Sequence, residues 1–403
     1  MDWDVLIVGG GPAGLAAGLY SARSRLRTAV IFRGQAGGQI AGTSFIENYP
    51  GIPGRTEGAA LGRAMLEQAR AFGCEHLEDE VLQLLPGPSG HTVRLKRQGE
   101  QKARAVILSP GTEPRALGVP GEREFRGRGV SYCATCDADM FADFDLVVVG
   151  NGDAALEEAI YLGKFAASVT VVVIHDVGVM DATKIIQERA LADPKLRFVW
   201  NSTIQEIRGS DLVEEVVLRN LRTGEVSSLS TQGVFVFAGV VPRTGFLQGA
   251  IALDGRGFIV AGENMETSVP GVFAAGDARQ KALRQVITAA ADGAVAAWNA
   301  DRYIATEENF RMQVLERPGT VLVGLWTPAV ASSHALPRQL EEAAARLGVP
   351  AVVLDSYRFG RIAQRYGAKE PPAVLVFQDG KPVGAYTGTP DPVGALREGG
   401  IPA

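Results

Sequence analysis

Short apolar runs alternate along this chain with longer stretches in which apolar and polar residues recur at helical spacing. Asp4-Val5-Leu6-Ile7-Val8 predicts a buried strand, residues from about 12 to 24 a helix, and Thr28-Ala29-Val30-Ile31-Phe32 a second strand. The pattern restarts at Leu146-Val147-Val148-Val149, with a helix from about Ala154 to Lys164 and a strand over Val169–Ile174. Strands separated by crossover helices imply an α/β fold built on parallel sheets. A third restart differs in kind. Val321–Trp326 reads as a strand, Gln339–Leu347 as a helix and Ala351–Leu354 as a strand, followed by a hairpin that turns at Asp379-Gly380. The polar stretch from about Arg302 to Arg317 is expected to be the linker to this last domain.

Composition narrows the class. At 403 residues, two or three domains are expected, and 46% hydrophobic with 21% charged residues is ordinary for a globular protein. A net charge of −5 argues against nucleic acid or an anionic membrane as partner. No apolar run predicts a membrane span. The apolar N-terminus carries Asp2 and Asp4 in place of a basic signal region, so a cytoplasmic location is expected. The 3 cysteines are too few for a disulfide scaffold, and the 4 histidines are scattered, so no metal site is expected. Cys74 reads as a small buried side chain.

Both strand-to-helix turns are glycine-rich. The first reads Gly9-Gly10-Gly11-Pro12-Ala13-Gly14 and the second Gly150-Asn151-Gly152-Asp153-Ala154-Ala155. Glycine there lets backbone N–H groups at a helix start approach a dinucleotide pyrophosphate. Between them lies Cys133-Ala134-Thr135-Cys136-Asp137. Two sulfurs at this spacing can cycle between dithiol and disulfide, and a thiolate at a helix start is stabilised by backbone N–H groups. The bland alternatives are a permanent disulfide or half a metal site.

With these motifs the chain resembles the low-molecular-weight thioredoxin reductases over about residues 4–305. Further matches are Gly37-Gly38-Gln39, Glu47-Asn48-Tyr49-Pro50-Gly51, the strand ending Gly276-Asp277, and Arg284-Gln285-Val286-Ile287-Thr288. The resemblance implies a discontinuous FAD-binding domain, residues 1–115 and 245–305, and a second nucleotide-binding-like domain, 116–244, carrying the CxxC. It places FAD on Gly9, Gly11, Pro12, Ala13, Gly14, Gly38, Gln39, Asn48, Gly111, Gly276, Asp277, Arg284, Gln285 and Val286. It also implies Cys136 on the flavin side, Cys133 as the sulfur that engages a partner, Asp137 as acid/base, and a homodimer. One match is imperfect: Ser109-Pro110-Gly111 stands where the family has Ala-Thr-Gly.

The second turn departs from the family where it matters most. The family grips the NADPH 2′-phosphate with arginines in the pattern His-Arg-Arg, three residues, Arg. This chain reads His175-Asp176-Val177-Gly178-Val179-Met180-Asp181, so the arginines are lost and two positions carry the opposite charge. A carboxylate close to a phosphate dianion costs about 1 kcal/mol or more at an effective dielectric near 20. NADPH is therefore not the expected donor. The alternatives are NADH, with Asp176 on the ribose 2′-OH, a second FAD as in diflavin-linked disulfide oxidoreductases, or a ferredoxin-driven enzyme whose second site is empty. On a further alternative Gly150, Gly152 and Ala155, beside Asp153, only preserve helix–strand packing.

Residues 318–403 resemble thioredoxin, through Val321–Trp326, Pro328, Pro371-Pro372 and Asp379-Gly380-Lys381-Pro382. The resemblance implies a cis Pro371–Pro372 bond. Where thioredoxin has Cys-Gly-Pro-Cys, this chain has Val330-Ala331-Ser332-Ser333, so the domain is expected to be redox-inactive. The expectation for the whole is an FAD-dependent disulfide/dithiol oxidoreductase whose partner is a thioredoxin-like protein or a small dithiol. The rival is a flavin-bearing redox sensor with little turnover.

Overall fold

The computed structural model describes residues 1–43, 45–368 and 370–388. It divides into two compact units, Met1–Ala300 and Asp301–Ala403. Residues 389–403, part of the span expected for the last domain, lie outside the described residues.

In the first unit, the apolar run at the start becomes the strand Trp3–Val8, which lies between Thr28–Phe32 and Gly99–Leu108, parallel to both. Val5, Leu6 and Ile7 are fully buried, as a strand covered on both faces requires. The helix Pro12–Arg23 follows at once, with proline at its first position. Much later, Val272–Ala274 pairs in parallel with Val106–Leu108, so the end of the unit returns to its first sheet. A second parallel sheet runs in the order Leu196–Val199, Ser168–Val172, Asp145–Val149, Gly233–Val236, Val130–Ser131. Beside it, Ser202–Gly209, Val213–Asn220 and Val226–Ser230 form an antiparallel sheet. Two short antiparallel strands, Thr112–Pro114 and Val240–Pro242, carry the chain into and out of this second lobe.

The second unit centres on Thr320–Trp326, parallel to Ala351–Asp355 and antiparallel to Ala373–Gln378, which pairs in turn with Lys381–Thr387. The helices Leu336–Leu347 and Ser356–Arg365 join these strands. The Pro371–Pro372 bond is cis, as expected.

The expected linker is corrected. Residues 302–310 continue the helix Val286–Phe310, and Arg311–Leu315 form a π-helical turn. The stretch looks polar by composition, yet Ile304, Phe310 and Val314 are buried. Phe310 stacks on Tyr366 and meets the edge of Phe377. A narrow apolar stripe was enough to make it part of a core.

Candidate active site

The first glycine loop is shaped by close packing at two positions and by openness at a third. A Cβ on Gly9 would lie 2.0 Å from the Ser109 carbonyl oxygen, and one on Gly14 would lie 1.8 Å from that of Gly9. Gly11 is different. It caps the helix Pro12–Arg23 with φ −78°, which any residue adopts, and a Cβ there meets only the Gly37 oxygen, at 4.0 Å. Packing therefore does not explain glycine at 11, whereas a phosphate approaching the helix start does. Ser109, the departure from the family pattern, donates to the Val8 carbonyl at 2.9 Å and ties two strand ends together.

The other expected flavin residues gather on the same lobe. Gly37 N–H donates to the Gly10 carbonyl at 2.8 Å, and a Cβ on Gly38 would sit 3.1 Å from the Gly11 Cα. Gln39 donates through Nε2 to the Thr112 hydroxyl at 2.7 Å, and Asn48 through Nδ2 to Gln285 Oε1 at 3.1 Å. Gly111 has φ +70° and open space where a Cβ would be. Gly276 lies against Ala13, a Cβ there falling 2.8 Å from that of Ala13. Arg284 stacks over Phe258 at 4.4 Å, and Val286 begins the long helix.

Asp277 has a buried Oδ1 with no hydrogen-bond partner among the described residues. Burial pushes its carboxyl pKa up, against the pull of Lys281 and Arg284. A buried orphan acceptor of this kind fits a hydroxyl-bearing ligand. Together with the open Gly11, these residues fit FAD.

Sequence reasoning missed the group that holds this corner. Asp292 accepts from Gly276 N–H at 3.0 Å, Arg279 Nε at 2.9 Å and Lys281 Nζ at 2.8 Å. Burial raises its carboxyl pKa, but the bonds from Arg279 and Lys281 outweigh it and hold the pKa low. The only signal in the sequence was a lone carboxylate in a stretch of alanines.

Cys133 caps the short helix Ala134–Asp137 and is disulfide-bonded to Cys136. Cys136 is exposed and Cys133 half-buried. Ser131, also missed, organises the motif. Its hydroxyl lies 2.6 Å from Asp137 Oδ2 and accepts from the Cys133 N–H at 3.1 Å. The dithiol helix meets the first lobe at the segment that carries Gly38 and Gln39. Thr135 donates its hydroxyl to the Gly42 carbonyl, and a Cβ on Gly42 would lie 3.7 Å from the Cys133 sulfur. The dithiol is thus brought to the lobe that carries the first glycine loop, the first nucleotide cradle, as the loop at Gly150–Ala155 is the second.

Beneath the dithiol runs the helix Asp153–Leu162. The Glu158 carboxyl faces the N–H groups of Ala134 and Thr135, and its Oε2 is buried without a partner. Burial, then the neighbouring charge of Glu157, pushes its pKa up to about 7. Glu157 is also pushed to about 7, by burial and then by Asp153 and Glu47, against Arg189. The folded protein therefore keeps a proton on Glu158 that an unfolded chain, titrating near 4.5, has released. Between pH 4.5 and about 7 the folded state binds more protons, so stability falls as pH rises through that window. Glu158→Gln is expected to raise the melting temperature at pH 8 by about 2–4 °C and leave it unchanged at pH 4.5. Equal shifts at both pH values would refute the buried-proton account.

The second cradle is only partly brought together with its expected ligand group. A Cβ on Gly150 would lie 2.4 Å from the Phe237 carbonyl oxygen and 3.0 Å from the Cβ of Ala155, so packing accounts for that glycine. Gly152 caps the helix with open space where a Cβ would be. Asp153 accepts from the Thr183 N–H at 2.5 Å. Asp176 is paired with Arg222, at 2.5 Å, and His175 lies 3.2 Å from Asp181. Nothing local in the sequence linked Arg222 to this site, because it arrives from a hairpin 46 residues away.

The comparisons agree with this geometry. The family model described as pyridine nucleotide-disulphide oxidoreductase matches residues 3–293. A thioredoxin reductase of Peptoclostridium acidaminophilum is 48% identical over 315 residues, covering 76% of this chain and 98% of its own. That of Bacillus subtilis is 43% identical over 303 residues, covering 75% and 95%. Among solved structures, Lactococcus lactis thioredoxin reductase in its FR conformation is 38% identical with a TM-score of 0.73, covering 75% of this chain and 99% of its own. Thioredoxin reductase from T. acidophilum is 32% identical with a TM-score of 0.71, covering 74% and 98%. The chain thus belongs to the pyridine nucleotide-disulphide oxidoreductase family and, within it, to the low-molecular-weight thioredoxin reductases, which are flavoprotein disulfide oxidoreductases.

Proposed function

We propose that this enzyme exchanges electrons between FAD and the Cys133–Cys136 pair, and then with a thioredoxin-type protein or a small dithiol, without NADPH. The observation that carries this reading is the docking of Thr135 on Gly42, which brings the dithiol to the flavin-binding segment. FAD, when bound, supplies the two-electron partner of the disulfide. The FAD-binding domain comprises residues 1–115 and 245–305, and the dithiol belongs to the second lobe, 116–244.

The chain's own residues divide the work. Gly9, Gly11, Pro12, Ala13 and Gly14 bind the pyrophosphate, Asp277 the ribityl and phosphate region, and Gly38, Gln39, Asn48, Gly111, Gly276, Arg284, Gln285 and Val286 line the rest. Cys136 faces the flavin and Cys133 forms the mixed disulfide with the partner. Asp137, held by Ser131, keeps or returns the thiol proton. Because Cys133 is the less exposed residue of the pair and its sulfur lies against Gly42, engaging a protein partner requires the dithiol helix to leave Gly42.

The NADPH-independence rests on charge. Asp176 and Asp181 stand where guanidinium groups would bind a 2′-phosphate, with His175 beside Asp181. The second unit is read as a thioredoxin-like domain without thiol chemistry, and the assembly as a cytoplasmic homodimer. An anaerobic titration of the flavin-loaded protein tests the function. Reduced thioredoxin or another dithiol is expected to bleach the flavin, and micromolar NADPH is not. Rapid bleaching by NADPH would refute the charge argument, and no response to any dithiol would favour the sensor.

A further inference from the structure

The second glycine loop raises a question of selection, since its two glycines have different reasons to be there. Gly150 is required by the backbone of Phe237. Gly152 is required by nothing among the described residues: its φ is −84°, its ψ 176°, and none of their atoms beyond its chain neighbours and its own helix backbone lies within 4 Å of a Cβ built on it. That is the signature of Gly11 in the first loop. Next to Gly152, Asn151 is only 7% exposed, and its Nδ2 has no hydrogen-bond partner among the described residues. A buried amide left unsatisfied is costly unless a ligand or water completes it. Both observations point to a ligand at the start of the helix Asp153–Leu162.

Asp176 and Arg222 lie past the end of the neighbouring strand Ser168–Val172. Arg222 is delivered there by a pinned turn. Leu221 N–H donates to the Asn201 carbonyl at 2.6 Å, and Asn201 N–H to that of His175 at 2.9 Å. Asn220 Oδ1 accepts from the N–H groups of Arg222 and Thr223, at 2.9 and 3.0 Å. The guanidinium therefore reaches Asp176 from a fixed backbone. An exposed ion pair of this kind contributes little to stability. Its chemistry suits recognition, because a carboxylate accepts from a ribose hydroxyl while the adjacent guanidinium donates to the diol oxygens.

We propose that the second cradle binds a nucleotide whose adenosine ribose carries a free 2′-hydroxyl, and that Asp176 and Arg222 together read that diol. A 2′-phosphate would meet Asp176 directly and would have to take Arg222 from it. This deepens the NADPH-independent reading by naming what is accepted in place of NADPH. NADH and FAD share the required diol, so the ligand class is adenosine diphosphate with an unmodified ribose.

The experiment is nucleotide binding by the full-length, flavin-loaded protein. Flavin released on denaturation is counted first. Two per chain in the wild type, falling to one in Asp176→Ala and in Gly152→Val, supports the proposal with FAD as the source. With one flavin per chain, calorimetry compares ADP-ribose with 2′-phospho-ADP-ribose, and NADH is then titrated to identify the source. ADP-ribose is expected to bind at least about tenfold more tightly, Asp176→Ala to bring the ratio near one, and Arg222→Ala to weaken ADP-ribose by about tenfold. Gly152→Ala is expected to weaken binding without lowering the melting temperature, since its Cβ meets no protein atom. Equal or tighter binding of the phosphorylated ligand, no binding of either with one flavin per chain, or an unchanged ratio in Asp176→Ala overturns the proposal. Dithiol-driven bleaching of the flavin is read separately, so either idea can fail alone.

Discussion

Replacing Cys136 with serine is expected to lower dithiol turnover by on the order of a thousandfold or more while FAD stays bound. A hydroxyl cannot form the disulfide with Cys133, and without that bond there is no two-electron store at the dithiol helix. The flavin loop lies on the other lobe, which the dithiol helix meets through Thr135 and Gly42. Flavin content, read from absorbance per chain, should therefore match the wild type. Cys133→Ser is expected to be as inactive for the same reason. Retention of a tenth of the activity by either variant would show that electrons bypass the pair.

Gly14→Ala carries the largest structural effect expected from a single methyl group. Its Cβ would lie 1.8 Å from the Gly9 carbonyl oxygen and 2.8 Å from Ser109 Oγ. The helix start must move away from the strand Trp3–Val8, because Gly9 is itself tied to the next strand by its N–H donating to the Ile31 carbonyl at 2.8 Å. Overpacking of this severity costs about 3 kcal/mol or more, at the upper end of the usual range. It also displaces the N–H groups offered to the pyrophosphate. Purified Gly14→Ala should lose most of its flavin, whereas Gly152→Ala, with the same change in the second cradle, should fold normally. Full flavin occupancy in Gly14→Ala, measured by denaturation and absorbance, would refute this account of the loop.

What the sequence showed and what it hid follow one physical division. Strands over Thr28–Phe32 and around Val147 were legible because buried parallel strands are continuous apolar runs. The dithiol and the glycine loops were legible because their chemistry is written in consecutive residues. Residues 302–315 were misread because composition hid the few side chains that pack, Ile304, Phe310 and Val314. Asp292, Glu158 and Arg222 were missed because each acts on residues distant in sequence. Asp292 reaches Gly276, Glu158 faces Ala134, and Arg222 meets Asp176. Such pairings are created by topology, and no local pattern encodes them.

The turn at Val330–Ser333 has one more consequence. Ser333 is fully buried, and its hydroxyl accepts from the Thr327 N–H at 2.9 Å. The serine thus ties the turn to the residue that follows the strand Thr320–Trp326. A cysteine at 333 would put a weak, bulky acceptor in place of that oxygen and disturb the turn. Any thiol chemistry introduced at this turn would therefore need the surrounding packing to change with it.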